Sequence, residues 1–327
     1  MTSTADHRDQ PDHIGTGTGT DIGTGTGTAG STGPPDHGAG PAVVALGGGH
    51  GLATSLRAAR TYAGSVCGIV SVGDDGGSSG RLRHELRVAP PGDVRRCLSA
   101  LAADDSLLVR SMEHRFVEGS LQGHPIGNLL LTGLAMVSGD LQTAIDEVGR
   151  LIGATGRIFP ATEVPVTLIA DSDGGTLAGQ VTIERAAGIR NLRFDPADPP
   201  TSAAAVGAVA AADQIVIGPG SLFTSVLATA VVPGIRDALN ATSATRVFVA
   251  NVANDKAEAR GFGLAEHIDA LTDHHIPVDV VVASSRSIVG RSLPVPVVEA
   301  EVAADDGWSH DAKLLGETLA GLAGARF

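Results

Sequence analysis

Two adjacent carboxylates precede a run of glycines and serines in SVGDDGGSSGRLR, residues 71–83. Carboxylates such as those of Asp74 and Asp75 can serve three purposes: binding a ribose hydroxyl, holding a divalent cation or capping a helix. The residues after them offer N–H and hydroxyl donors, and an arginine that can bind a phosphate through two hydrogen bonds. These residues are Gly76, Gly77, Ser78, Ser79 and Arg81. The same composition is typical of an exposed loop, so the neighbouring segments must decide between the two interpretations.

A second glycine cluster follows the apolar run AVVAL and precedes a predicted helix from Leu52 to about residue 62. Glycines between a strand and a helix let the backbone approach a ligand, and the helix N-terminus offers unpaired N–H groups to an anion. The spacing matches neither G-x-G-x-x-G nor the Walker pattern. We predict a nucleotide-binding turn here, with a purely structural tight turn as the alternative. Its residues are Gly47, Gly48, Gly49, His50 and Gly51.

A third glycine-rich turn, GPGS, follows the apolar run QIVI. Ser221 is placed to cap the helix after it, with Thr224 in the first turn. A capped turn and a phosphate site are both consistent with this pattern. Ligands of parallel α/β sheets bind at the carboxyl ends of the strands, so three such strand ends favour one shared site. The turn consists of Gly218, Pro219, Gly220 and Ser221.

Two further segments leave alternatives open. In PPGDVRRCL, Asp93 can cap the helix that carries Arg95 and Arg96, and those arginines fit either a solvated face or a site. In GHPIGNLLL, Asn128, with His124 nearby, is either a buried amide satisfied by the backbone or a residue that faces a ligand. A G-x-S-x-G elbow, a Cys–His pair and metal-ligand spacing of histidines are all lacking, so we predict no catalytic residue and no metal ligand.

Strands alternate with helices at both ends of the chain, which predicts an α/β fold with a Rossmann-like, doubly wound, mostly parallel sheet. Helical patterns over residues 92–151 read as an insertion. The runs VPVTLIAD, TLAGQVTIE and GIRNLRF predict an antiparallel β-meander. Residues 1–40 are rich in Gly and Thr and are expected to be a disordered tail. Residues 41–327 are expected to form a single domain.

The composition limits the class of protein. The chain has 327 residues and a net charge of −13, and an acidic surface argues against nucleic-acid binding. Hydrophobic residues make up 43% but aromatic residues only 3%, so the core must consist of Ala, Val, Leu and Ile. Cys67 and Cys97 lack CxxC spacing and are expected to be reduced, packed thiols. No apolar segment has the roughly 20 residues that cross a bilayer. We therefore expect a cytoplasmic protein that does not bind membranes.

Five stretches in this order closely resemble the YvcK family, also called the gluconeogenesis factor family, of the CofD-like superfamily. They are ALGGGHGLATSLRA, SVGDDGGSSGRLRHEL, PPGDVRRCLSALA, GHPIGNLLL and IVIGPGSLFTSVL. The resemblance covers roughly residues 42–290. It implies a Rossmann-like core, a cytoplasmic location and binding of a UDP-sugar, chiefly UDP-N-acetylglucosamine. It also implies a regulatory role, without established catalysis, that links carbon supply to cell-wall precursor synthesis and cell shape.

On this basis we hypothesise that backbone N–H groups hold the diphosphate, those of Gly48, Gly49, Gly51, Gly220 and Ser221. Asp74 or Asp75 would bind ribose or sugar hydroxyls, and Arg81 would offset phosphate charge. No cofactor is required and Mg²⁺ is optional. A protein partner in amino-sugar or cell-wall metabolism is expected, and a homodimer is left open.

The alternative is a Mg²⁺-dependent 2-phospholactate transferase of the CofD type, acting on a nucleoside-diphosphate-activated substrate, in which Asp74 and Asp75 hold the metal. In that branch aromatic residues follow the Asp pair, whereas here glycines and serines do, which favours the regulator. An NAD-dependent oxidoreductase comes third, because the fingerprint spacing is wrong.

The sequence also departs from the family pattern. His50 stands where the family usually has threonine. Asn251 and His267 are kept, but the Met-Thr-Gln-Pro-Gly-Glu-Thr run between them is not, and the residues after 290 match nothing that we can place.

Overall fold

The glycine-rich turns end strands of a seven-stranded sheet in which every neighbouring pair is parallel. A computed structural model describes residues 39–253, 256–285, 287, 292–325 and 327. The predicted Gly/Thr-rich tail lies, up to residue 38, outside the described residues.

The strand order in the large sheet is β10-β9-β8-β7-β1-β2-β3, and a small antiparallel sheet has the order β5-β4-β6. The strands are β1 Ala42–Gly47, β2 Ser65–Val70, β3 Arg157–Pro160, β4 Thr167–Ser172, β5 Gly175–Ala178, β6 Arg190–Asp195, β7 Gln214–Ile217, β8 Thr245–Val249, β9 Val280–Ala283 and β10 Val297–Glu299.

Twelve helices within the described residues accompany the strands, together with a π-helical segment at Leu222–Leu227 and a 3₁₀ turn at Ala257–Ala259. The α-helices are α1 Gly49–Ala59, α2 Gly77–Leu86, α3 Gly92–Leu101, α4 Leu107–Glu113, α5 Ile126–Ser138, α6 Leu141–Leu151, α7 Gln180–Arg185, α8 Ala203–Ala210, α9 Ala228–Ala230, α10 Pro233–Ala241, α11 Leu264–Asp273 and α12 Ala312–Leu322.

Alternation of side chains along the strands divides the core between the two faces of the sheet. In β1, Val44 and Leu46 belong to one buried cluster, whereas Val43 and Ala45 belong to the other. Strands that are covered on both faces read as continuous apolar runs, which is why AVVAL carries no polar alternation. Helices α1, α3 and α12 pack on one face and α8, α10 and α11 on the other. The predicted doubly wound α/β class is thereby confirmed.

The small sheet differs in detail from the expected meander. Strand β4 is central, and β6 pairs with β4 rather than with β5. The run QVTIE, predicted as part of a strand, forms helix α7. Gly179, with φ +93°, ends β5, and the carboxylate of Asp75 accepts hydrogen bonds from the N–H groups of Gln180 and Val181. This cap from a distant loop outweighs the strand preference of Val, Thr and Ile.

The residues after 290 belong to the same fold. Strand β10 extends the sheet beyond β9, and α12 packs against α1 through the buried Leu315 and Leu319. Both cysteines are free, and burial raises the pKa of the Cys67 and Cys97 thiols, as expected for packed thiols.

No single helix in the described ranges has the length and apolar composition to cross a bilayer. The helical pair Leu222–Ala230 and Pro233–Ala241 meets both criteria only when taken together across a 73° bend.

Two helical glycines should respond oppositely to alanine. A Cβ on Gly51 would overlap the carbonyl group of Pro219, whereas a Cβ on Gly133 would enter open space. We expect Gly51→Ala to lower the free energy of unfolding by about 1–3 kcal/mol. Gly133→Ala should raise it by about 0.5–1 kcal/mol, because alanine favours the helix. Guanidinium denaturation of both variants measures the difference, and equal values would contradict the close approach of α1 to the Pro219 turn.

Candidate functional site

The carboxyl ends of β1 and β7 flank the point where the chain reverses its direction across the sheet. From β1 the chain continues to β2 and β3 on one side, and later to β7, β8, β9 and β10 on the other. Such a switch point opens a crevice at the carboxyl ends of the strands. A cavity of about 570 Å³ lies at this point. Its volume is within the range of roughly 300–1,000 Å³ that small-molecule sites occupy.

Two buried hydroxyl groups tie the strand ends together. Ser55, in α1, donates to the carbonyl oxygen of Gly218 at 2.7 Å, where β7 ends. Thr229, in α9, donates to the carbonyl oxygen of Gly47 at 2.8 Å, where β1 ends. Each hydroxyl comes from the helical segment after one strand and binds the end of the other strand. The two glycine-rich turns are therefore held in fixed relative positions.

The amide of Asn251, which follows β8, holds the third turn in place. Its Nδ2 donates to the carbonyl oxygen of Gly220 and its Oδ1 accepts from the Gly220 N–H, both at 2.9 Å. This N–H was predicted to bind a phosphate, and here it already has a partner. The prediction missed the pairing because Asn251 lies far from Gly220 in sequence.

Most of the predicted site residues line this one cavity. They come from the turns after β1, β2 and β7 and from the start of α5. They are Gly48, Gly49, His50, Gly51, Asp74, Gly76, Gly77, Ser78, Ser79, Asn128, Pro219, Gly220, Ser221 and Thr224.

Three residues of the predicted binding set lie outside the cavity wall, as do Gly47 of the first turn and His124 near Asn128. Asp75 caps α7, at 2.9 and 3.0 Å from the two N–H groups that it accepts from. The guanidinium of Arg81 donates to the Gln122 carbonyl oxygen at 2.7 Å, away from the cavity. Gly218 lies behind the turn, with its carbonyl bound by Ser55. The adjacent aspartates therefore diverge, and only Asp74 reaches the cavity.

Asp93 caps a helix, but not the one predicted. The residue before α3 is Pro91, and the Asp93 carboxylate instead accepts the N–H of Gly49 at 2.8 Å, at the first position of α1. Its other oxygen accepts from Arg96 at 2.7 Å. A carboxylate of the chain itself therefore occupies the anion-binding end of α1.

Among the residues that the structure describes, four cationic side chains line the cavity, namely Arg95, Arg96, Arg115 and Lys256, against three carboxylates, Asp74, Asp93 and Glu184. Arg95 is only 1% exposed and forms an ion pair with Glu113, so the solvated-face interpretation is wrong for it. Lys256 binds Glu184 at 2.7 Å. Sequence patterns gave no signal for Arg115 or Lys256, because both reach the cavity from loops without a motif.

Burial sets the protonation of the cavity groups. Desolvation and the nearby Asp93 charge raise the pKa of Asp74. Desolvation also raises the pKa of Asp93, against the opposing effect of Arg96. Desolvation, Arg96 and Arg95 lower the pKa of His50, which is therefore neutral at physiological pH. An anion that binds beside Asp93 therefore favours the protonated form of this carboxyl.

Residues beyond 290 complete the rim. Trp308, Ser309 and His310 line the cavity, and His310 Nε2 lies 3.0 Å from the Ala250 carbonyl oxygen at the end of β8. Asp306 accepts hydrogen bonds from the N–H groups of Trp308 and Ser309, both at 2.8 Å, which fixes this turn. The sequence did not reveal this segment because it lacks a recognisable motif.

Within the residues that the structure describes, no group of three or more His, Cys, Asp or Glu side chains is arranged to hold a metal ion. The Asp74–Asp75 pair expected for the transferase alternative is separated, since Asp75 caps α7.

Ser221 was predicted to cap the following helix, and this is wrong. In the described part of the chain its side chain makes no capping hydrogen bond, and the segment after it is π-helical. Glu258 instead caps the N-terminal end of this segment, since its Oε1 accepts a hydrogen bond from the Phe223 N–H at 3.3 Å. Desolvation raises the pKa of Glu258 to about 7, despite hydrogen bonds from Thr224 and Phe223.

Known proteins resemble this chain along most of its length. The family model described as 2-phospho-L-lactate transferase CofD matches residues 43–314. A Mycobacterium leprae protein that bears the name gluconeogenesis factor is 46% identical over 250 residues, which are 72% of this chain and 70% of that protein. The gluconeogenesis factor of Halalkalibacterium halodurans is 41% identical over 235 residues, 71% of this chain and 73% of its own.

A solved structure has the same fold. The crystal structure of a UPF0052-family protein from Bacillus halodurans superposes with a TM-score of 0.80 at 33% sequence identity. The match covers 86% of this chain and 98% of that one.

Replacing Glu258 by glutamine should stabilise the protein at about pH 8 and have little effect near pH 4.5. Because the folded-state pKa is raised to about 7, the stabilisation linked to the bound proton is present at low pH and lost as pH rises through about 7. The shift corresponds to at most on the order of 3 kcal/mol. Thermal melts across this pH range measure the difference between variant and wild type.

Glu118→Gln provides the control, since it makes the same substitution at an exposed side chain. Melting curves of wild type and Glu258→Gln that change in parallel with pH would show that Glu258 titrates normally.

Proposed function

Because the chain belongs to the gluconeogenesis factor family of CofD-like proteins, we propose that it is a regulator that binds a nucleotide sugar, chiefly UDP-N-acetylglucosamine, in the cavity at β1 and β7. The observation that carries the proposal is the meeting of two glycine-rich turns and four cationic side chains at the switch point of a parallel sheet. Backbone N–H groups at such a point suit a diphosphate.

The charge distribution supports an anionic ligand. A protein with a net charge of −13 repels phosphates at long range, so a phosphate site needs local positive charge. Arg96, Arg115 and Lys256 line the cavity, and Arg96 reaches the N-terminus of α1 through its ion pair with Asp93. His50 and Gly51 follow Gly49 in that first turn and also line the cavity. The diphosphate is therefore assigned to this end of the cavity.

Asp74 suits hydroxyl groups of a ribose or a sugar. Its Oδ1 accepts the Gly76 N–H at 2.9 Å, which orients the carboxylate at the cavity wall. Carboxylates that are fixed by the backbone commonly bind vicinal hydroxyls of a ribose. This role does not require Asp75.

The cellular role follows from the relatives. Their name, gluconeogenesis factor, supports a function in growth on gluconeogenic carbon sources. We extend this to a cytoplasmic sensor whose nucleotide-sugar occupancy adjusts cell-wall precursor synthesis and cell shape, through a protein partner in amino-sugar metabolism.

A CofD-type transferase is the second candidate, and the family model supports it by its description. In this chain Asp74 and Asp93 are the two carboxylates that lie close enough to interact electrostatically at the cavity, and a divalent cation between them would serve phosphoryl chemistry.

Thermal-shift and calorimetric titrations with UDP-N-acetylglucosamine, UDP-glucose, GDP and NAD, each with and without Mg²⁺, separate the candidates. A ligand at about 100 times its Kd stabilises the folded state by about 2.7 kcal/mol. We expect the UDP-sugars to raise Tm without Mg²⁺. Stabilisation by GDP only with Mg²⁺, together with no stabilisation by UDP-sugars, would contradict the regulator proposal and support the transferase.

Replacing Asp93 by asparagine should tighten binding of UDP-N-acetylglucosamine about tenfold at pH 8. Asparagine keeps an oxygen for the Gly49 N–H but removes the charge that repels the diphosphate. In the wild type an arriving anion raises the pKa of Asp93 further, so affinity should increase as pH falls. Calorimetry at a series of pH values should give a flatter profile for the variant.

Asp173→Asn removes the same charge from a side chain that is 84% exposed and lies outside the cavity, and should leave affinity unchanged. Weaker binding by Asp93→Asn, seen only with Mg²⁺, would assign Asp93 to a metal instead.

A further inference from the structure

Trp308, the only tryptophan of the chain, presents an exposed aromatic ring at the cavity. The residue is 67% exposed. Within the described residues, no other Phe, Tyr or Trp lines this cavity, and the Trp308 ring stacks on no aromatic or cationic side chain. One face of a flat apolar ring is therefore open to a ligand at a cavity wall that is otherwise mostly polar.

The turn that carries Trp308 is fixed to the rest of the fold. Asp306 accepts hydrogen bonds from the N–H groups of Trp308 and Ser309, and a third from the Ser309 hydroxyl at 2.6 Å. His310, two residues further, binds the Ala250 carbonyl oxygen at the end of β8. The backbone of Trp308 is thus held on the β8 side of the cavity, so a ligand that covers the ring has little backbone entropy to remove.

Exposure alone does not identify a binding surface, because single exposed apolar side chains are common on proteins. Phe327, for example, is 52% exposed and does not line the cavity. Trp308 differs from it because an exposed ring, a fixed turn and a position at the proposed nucleotide site coincide. Aromatic rings at such sites are suited to flat, apolar parts of a ligand.

The position of Trp308 suits the base rather than the sugar of a nucleotide sugar. Strands β2, β1, β7 and β8 are neighbours in this order. Neighbouring strands lie about 4.8 Å apart, so the ends of β2 and β8 are separated by roughly 14 Å. Asp74, on the β2 side, suits hydroxyl groups, and the diphosphate is assigned to the N-terminus of α1 between the two sides. A ligand that extends across these strand ends with its sugar at Asp74 places its base at Trp308.

We propose that the Trp308 ring stacks on the nucleobase of the ligand and so determines which end of the nucleotide sugar lies on the β8 side of the cavity. The inference rests on the proposed nucleotide-sugar function and deepens it. Stacking uses the π face that every base has, so Trp308 strengthens the binding of nucleotides without selecting among bases.

Calorimetry with UDP and with UDP-N-acetylglucosamine on Trp308→Ala tests the stacking. Because both ligands carry the same base, we expect both Kd values to rise by the same factor, about tenfold. Trp308→Phe keeps an aromatic ring and should bring both Kd values back to within about threefold of the wild type. Phe327→Ala is the matched control, since it removes an exposed aromatic ring outside the cavity and should change neither Kd.

Three results would overturn the proposal. The first is unchanged Kd values for Trp308→Ala, and the second is a loss of affinity that Trp308→Phe does not restore. The third is a rise in Kd for the UDP-sugar alone, because the ring would then contact the sugar instead of the base.

The fluorescence of the wild-type protein gives a readout that needs no variant, since all tryptophan emission comes from Trp308. Acrylamide should quench the free protein, and saturating UDP should lower the quenching constant about twofold or more, because a stacked base covers the ring. An unchanged quenching constant in protein that is saturated with UDP would refute the stacking and leave the proposed function in place. Wild-type protein that binds neither UDP nor any UDP-sugar would instead refute the proposed function, and the stacking with it.

Discussion

The close approach of α1 to the turn after β7 is the constraint on which the site depends. Gly51 lies so near the Pro219 carbonyl that a side chain does not fit between them. The parallel pairing of β1 with β7 sets this approach, and the reciprocal hydrogen bonds of Ser55 and Thr229 hold it. Both hydroxyls are fully buried, so they have no competing water. The cavity wall is consequently formed before any ligand arrives, which reduces the entropy lost on binding.

The chain uses its own carboxylates where an anionic ligand would otherwise bind. Asp75 occupies the N-terminus of α7, and Asp93 the N-terminus of α1. The two caps differ in consequence. The first fixes a helix next to the cavity and leaves the ligand unaffected, whereas the second lies on the cavity wall beside Arg96. In the proposed function, a phosphate would therefore meet a helix end that Asp93 already partly neutralises, and its affinity would depend on whether Asp93 is protonated.

Sequence patterns predicted those strands and turns whose conformation depends on residues that are close in sequence. Apolar runs followed by glycines identified β1, β2 and β7 and brought thirteen predicted residues to one cavity, since carboxyl ends of parallel strands share an edge. Contacts between distant residues were not predictable. QVTIE forms a helix because the distant Asp75 accepts hydrogen bonds from its first N–H groups. The Gly220 N–H likewise binds Asn251, which is remote from it in sequence. Trp308 was not predictable either, because its segment carries no recognisable motif.

The departure from the family pattern at His50 changes shape more than charge. An imidazole lines the cavity where the resemblance implies a small hydroxyl, yet burial and the neighbouring Arg96 and Arg95 lower its pKa. The neutral ring adds no cation to the phosphate end, so the balance between the arginines and Asp93 stays as the other residues set it. A neutral imidazole has one hydrogen-bond donor and one acceptor, so like a hydroxyl it can both donate and accept a hydrogen bond.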